Sequence, residues 1–190
     1  MSISHTVTKE SDMTHIHQRP PDSPVTRETV PGYWGFGSLT SPLVRSDQTH
    51  GAYSIIEQLM PANSGPPPHT HAQSDEVFYI LEGKVHLQLH DSVSTAEAGQ
   101  LVRVPRGVPH AFAVQSEQAR MLIFFMPATM DELITMTTAP ATEATVPPPG
   151  PEAEPTEQQM ATFMNHLRET ASLSWSDQQD LLTHFRQPPS

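Results

Sequence analysis

Gly65-Pro-Pro-Pro-His69-Thr-His71-Ala-Gln-Ser-Asp-Glu76-Val-Phe-Tyr-Ile-Leu-Glu-Gly83 is the stretch on which the fold turns. On an extended strand residues two apart share a face, so His69 and His71 can point the same way. Four residues lie between His71 and Glu76, enough for a short connection that turns the carboxylate back to the same point. Val77 to Leu81 is strongly β-prone and stops at Glu82-Gly83, a turn signal. Two imidazoles and one carboxylate suit Fe(II), Mn(II), Co(II) or Ni(II) and leave coordination positions open.

The neighbouring segments extend the pattern. Lys84 to His90 alternates, with Val85, Leu87 and Leu89 on one face and His86, Gln88 and His90 on the other. Gln100 to Val104 is a short strand closed by Pro105-Arg106-Gly107. That turn delivers His110, a fourth candidate ligand, at the head of a strand running to Val114. Ala119 to Met126 is the most apolar run and reads as a central strand covered on both faces. Upstream, Ala52 to Met60 opens with the β-rich AYSII. Strands at this spacing, with no helical stretch among them, predict an all-β sandwich or barrel. Phe78 and Ile80 share parity with Glu76, and Phe112 and Val114 share parity with His110. These four are candidate pocket walls, and equally what a core needs. Met121, Ile123 and Phe125 read as core. His50, His86, His90, His166 and His184 read as ordinary surface or hydrogen-bonded histidines.

Four segments are expected. Residues 1–30 are polar and rich in Ser, Thr and Pro, and read as a disordered tail; the His15–His17 pair there has no third ligand. Residues 31–138 form the β-domain. Residues 139–155, rich in Pro, Ala and Glu, read as a stiff linker. In residues 156–190, Met160, Phe163, Met164 and Leu167 fall at helical spacing, with Thr156 and Gln159 as a capping box. Ser176 with Gln179 repeats the signal before Leu181, Leu182 and Phe185. Two short C-terminal helices too small to stand alone should therefore pack on the barrel or on a second subunit.

Composition narrows the function. The chain has no cysteine, which excludes disulfides, thiolate metal sites and thiol nucleophiles. Its net charge of −11 argues against nucleic acid and anionic membranes as partners. The polar N-terminus lacks an apolar core of signal-peptide length, and a cytoplasmic protein is expected.

The two motifs resemble those of the cupins, G-x5-HxH-x(3,4)-E-x6-G and G-x5-PxG-x2-H-x3-N. The first matches at His69, His71, Glu76 and Gly83, with Gly65 four positions before His69 rather than six. The second matches at Gly99, Pro105, Gly107 and His110, with Val114 in place of the final Asn. The resemblance implies a cupin jelly-roll barrel with one divalent metal ion (Ni, Fe, Mn or Co) on His69, His71, Glu76 and His110; it also implies pairing through the sheets, and a homodimer is expected. HAQSDEVFYILEGKVHLQL is similar to the bacterial single-domain quercetin 2,3-dioxygenases. In that group three His and one Glu bind the metal, and the Glu takes the flavonol hydroxyl proton. This implies a dioxygenase acting on a flavonol or similar enolic aromatic with O2, with Glu76 catalytic. A metal-assisted isomerase, cyclase or lyase of a small metabolite, and a non-catalytic binding module, are the alternatives.

Overall fold

The structure, a computed structural model, describes residues 24–66, 68–148 and 156–170. The His15–His17 pair, the second C-terminal helix and His184 lie outside the described residues, as does the side chain of His166. Among the described residues ten strands and two α-helices follow in order: β1 Tyr33–Gly35, β2 Ser38–Val44, β3 Ser54–Pro61, β4 Asp75–Glu82, β5 Lys84–Leu89, β6 Ser92–Glu97, β7 Leu101–Val104, β8 His110–Val114, β9 Gln118–Met126, α1 Asp131–Thr137, β10 Ala139–Pro140 and α2 Glu157–Thr170. They form a seven-stranded sheet, β10-β1-β2-β3-β9-β4-β7, and a three-stranded sheet, β6-β5-β8. Every pairing is antiparallel.

One core joins the sheets. Ile56 and Met60 of β3, Phe78 and Ile80 of β4, and Met121, Ile123 and Phe125 of β9 pack with Val85, Leu87, Phe112 and Val114 from the smaller sheet. Period-two alternation produces this: each strand sends every second side chain inward. β9 departs from the expected strand covered on both faces. It is central, between β3 and β4, but its burial alternates, and Leu122 and Phe124 on the outer face are only half-buried. A sheet with one face on a core needs only one buried row, and the outer row of this apolar run is left at the surface.

Four strands, β1, β2, β6 and β10, escaped the sequence pattern. β6 is an edge strand whose Ser92, Val93, Ser94 and Thr95 are exposed, so it carries no apolar alternation. β2 contains Pro42, where its pairing with β3 shifts register. Proline has no N–H to give a ladder, and a register break is where a strand tolerates it.

Helix α1 was also hidden. Met130, Leu133, Ile134 and Thr137 do fall at i, i+3, i+4 and i+7, but over barely two turns. Leu133 buries into the core, and Asp131 Oδ2 accepts hydrogen bonds from the Ser46 backbone N–H (2.9 Å) and hydroxyl (2.8 Å). At the start of α2 the capping box is formed: the Gln159 side chain accepts from Thr156 N (2.9 Å), and Thr156 Oγ1 accepts from Gln159 N (3.2 Å). This helix docks on its own chain, with Phe163 packed against the core and its ring on Phe36. The stretch after β10 lies along the barrel: Trp34 Nε1 donates to Thr145 O (2.8 Å), and Ala141, Ala144 and Val146 pack on Trp34, Leu39 and Leu59. Among the described residues no helix is long and apolar enough to cross a membrane.

Candidate metal centre

His69 and His71 sit in the segment before β4, Glu76 is the second residue of β4, and His110 opens β8. The fold brings all four together. One ligand atom from each lies within 4.8 Å of the others, and each residue is buried. His110 Nε2 is 2.8 Å and His71 Nε2 is 3.3 Å from Glu76 Oε2.

Backbone bonds between the two motifs hold this geometry. His69 N donates to His110 O and His110 N donates to His69 O, each at 2.9 Å. Val114 N donates to Ser64 O (2.9 Å), so the segment from Ser64 to His69 shields the free edge of β8 at both ends. Between those bonds stand Pro66 and Pro68, which have no N–H to offer to a ladder. Gly65 passes so close to β8 that a Cβ there would lie 1.9 Å from Phe112 O. The motif's missing glycine, six positions before His69, is Asn63. Its φ is +61°, a left-handed conformation that Asn tolerates better than most side chains.

The turn Pro105–Gly107 is braced as well. Gly107, at φ +76°, donates its N–H to His71 O (2.9 Å). Asp75 accepts from Arg106 N (2.9 Å), Arg106 Nε (3.1 Å) and Arg103 Nη2 (3.2 Å). The Arg106 backbone and side chain, and then Arg103, hold the Asp75 carboxyl down at about 2. Sequence reading singled out none of these three residues; the signal available was an acid directly preceding Glu76 and two arginines flanking the Pro105 turn.

His110 Nδ1 lies 3.0 Å from the Val108 carbonyl oxygen and donates to it. That bond fixes the tautomer and leaves the Nε2 lone pair facing the cluster. Burial pushes the Glu76 carboxyl up, but His110 and His71 beside it outweigh this and bring it down to about 2. Burial pushes His110 down, while the Glu76 carboxylate and then the Val108 carbonyl raise it, for a net upward shift.

The donor set fits a metal ion. His71 Nε2, Glu76 Oε2 and His110 Nε2 are buried, close to one another, and make no well-aligned hydrogen bond. Buried polar atoms are normally paired, and convergent ones without aligned partners are what a cation satisfies. Three imidazoles and one carboxylate are the nitrogen and oxygen donors of Fe(II), Mn(II), Co(II), Ni(II) or Zn(II) sites.

His69, His71 and Glu76 form part of the wall of a cavity of about 150 Å³. Its apolar lining includes Ile56, Met60, Phe112, Ile123, Phe125 and Phe163, and its polar lining includes Thr40 and Gln58. Of the four candidate pocket residues, Phe112 lines the cavity. Phe78, Ile80 and Val114 do not: all are 0% exposed and packed in the core. They do point inward, but they lie further along their strands than Glu76 and Phe112, past the floor of the cavity. Ile123 and Phe125, read as core, do line it; Phe125 pairs with Glu76, and Ile123 reaches it although its partner Phe78 does not. His86 instead faces Thr95, with Nδ1 2.8 Å from its hydroxyl.

Residues 56–125 match a family model described as cupin domain. The chain is 28% identical over 82 residues to quercetin 2,3-dioxygenase of Bacillus subtilis, which is 43% of this chain and 24% of that protein. It is 33% identical over 75 residues to an uncharacterized protein of Aquifex aeolicus, 40% of this chain and 62% of that one. The chain thus spans about a quarter of the length of the first relative and about three-fifths of the second. A predicted oxalate decarboxylase of Thermotoga maritima superposes with a TM-score of 0.51 at 16% identity, covering 55% of this chain and 99% of that one. The fold is an all-β cupin barrel.

Proposed function

Starting from a cupin barrel, we propose that this protein is a metal-dependent dioxygenase that cleaves a flavonol or a similar enolic aromatic compound. The observation that carries the proposal is the buried cluster of His69, His71, Glu76 and His110, three of which (His69, His71 and Glu76) stand on the wall of an apolar cavity. The similarity to the Bacillus quercetin 2,3-dioxygenase supports the choice of reaction.

His69, His71, Glu76 and His110 would hold one divalent ion. When bound, that ion supplies Lewis acidity toward an enol oxygen and a partner for dioxygen chemistry. The rest is work for the chain itself. The wall of Ile56, Met60, Phe112, Ile123 and Phe125 excludes water and favours a flat apolar ring. Glu76, ionised at neutral pH, is the base that takes the enol hydroxyl proton onto its carboxylate. Gln58 Nε2 donates to Thr40 Oγ1 (3.3 Å), so its amide is oriented on the cavity wall to meet a polar edge of the ring.

The test is oxygen uptake by metal-loaded protein offered a panel of flavonols and smaller enolic aromatics. Oxygen consumption matched to ring cleavage is the expected result. Turnover that proceeds equally without oxygen would overturn the dioxygenase reading in favour of a lyase or isomerase.

A further inference from the structure

Resting on that enol reading, we infer that Phe36 and Phe163 form the size filter of the cavity and select a compact, single-ring enol over a three-ring flavonol. The two rings touch, with centroids 4.5 Å apart and planes tilted by 40°, and both line the cavity that holds His69, His71 and Glu76.

Phe36 is placed against local preference. It occupies the tip of the hairpin between β1 and β2, with Gly37 as the second turn residue. Both residues have positive φ, +54° for Phe36 and +72° for Gly37. A two-residue hairpin turn of this kind favours Asn, Asp or Gly at its first position, and a bulky aromatic there is strained. Strain of this sort persists where the surroundings hold it, and it concentrates at ligand-facing positions. Here the surroundings are the ring of Phe163, carried by α2 from the far end of the described chain, and the cavity beneath. A Cβ on the adjacent Gly35 would lie 2.4 Å from the Thr138 methyl group, so the hairpin is pressed against the turn that follows α1.

The volume fits one ring. A cavity of about 150 Å³ lined by aliphatic and aromatic side chains takes up benzene, whereas drug-sized ligands occupy about 300–1,000 Å³. The ion would take part of the space beside His69, His71 and Glu76. A hydroxypyranone ring coordinated there fills what is left. The fused ring and phenyl substituent of a flavonol need more space than this, and parting Phe36 from Phe163 on the cavity wall would supply it.

The experiment compares two probes with the same metal-binding head: 3-hydroxy-4-pyranone and 3-hydroxyflavone. Binding to Ni(II)-loaded protein is measured by calorimetry without oxygen, for the parent, Phe36→Asn and Phe163→Ala. Asn suits the hairpin turn, so Phe36→Asn opens the mouth without straining the fold, and Phe163→Ala opens it from the other side. The parent should bind the pyranone about tenfold or more tightly than the flavone, the scale of penalty for overfilling a packed site. Each variant should tighten flavone binding by a similar factor and so move the pyranone-to-flavone ratio toward one. Equal binding of both probes by the parent, or variants that leave the ratio unmoved, would overturn the size filter while leaving the enol reading intact. Failure of both probes to bind any of the three proteins in a metal-dependent way would overturn the enol reading, and the filter with it.

Discussion

His69 and His110 exchange both of their backbone hydrogen bonds, each 2.9 Å long, although they belong to different motifs. Each histidine's main chain is thereby the other's support, and the side chains project from one rigid junction, with ring centroids 4.2 Å apart. Sheet hydrogen bonding thus ties the donors of the two motifs to one another. A site built on paired backbone holds its geometry better than one built on a free loop.

Metal should stabilise the fold. At a hundredfold excess over Kd, an ion that binds only the native chain adds about 2.7 kcal/mol. For a chain of this size that is roughly 5–10 °C in melting temperature. Thermal scans with and without Ni(II), Mn(II), Co(II) or Fe(II) check this. His110→Ala should abolish the shift, and an unchanged shift in that variant would remove His110 from the site.

Glu76→Gln keeps size and an oxygen donor but removes the base. Turnover should fall about 10²–10⁴-fold with the fold retained. His86→Ala, on the outer face of β5 beside Thr95, should stay within a few-fold of the parent. Full activity in Glu76→Gln with metal bound would exclude the base role, and equal losses in the two variants would point to general destabilisation.

Asp75 ties the Pro105–Gly107 turn to the first residue of β4 through Arg106 and Arg103. Asp75→Asn keeps the shape and loses the charge that draws the two arginines in. Groups that orient metal ligands typically affect affinity by about 10–100-fold when removed. A weakening of metal binding near the lower end of that range is expected by calorimetry, because Asp75 acts through the turn and touches no donor. Identical affinity in parent and variant would mean that the backbone bonds alone suffice.

Phe78 and Phe112 are in edge contact, with centroids 5.2 Å apart, yet only Phe112 borders the cavity. Phe78→Ala should cost about 3–5 kcal/mol, because a new void opens in a closed core. Phe112→Ala should cost about 1 kcal/mol less or better, since the vacated space joins an existing cavity. Denaturant melts of both variants decide, and a larger loss for Phe112 would contradict the division between core and cavity drawn here.

The strands that carry the site were legible because their signals are local. Alternation marks β5, the β-prone run before Glu82-Gly83 marks β4, and the spacing of His69, His71 and Glu76, with the resemblance of both motifs to the cupins, names the candidate cluster with His110. The capping box of Thr156 and Gln159 is equally local, and it forms as its residue types require. Depth along a strand is not local. Parity alone puts Phe78 and Ile80 on the same face as Glu76, and only the packing of one sheet on the other decides that they lie beneath the cavity while Ile123 and Phe125 reach it. The same holds for Asp75 with Arg103 and Arg106, and for Phe36 with Phe163, whose meetings depend on where distant elements dock. Residue type and spacing therefore determined which side chains can bind a metal and which face of each strand they occupy. Tertiary packing decided how large a space stands before them and what closes it, because volume belongs to the assembly of elements and to no single segment.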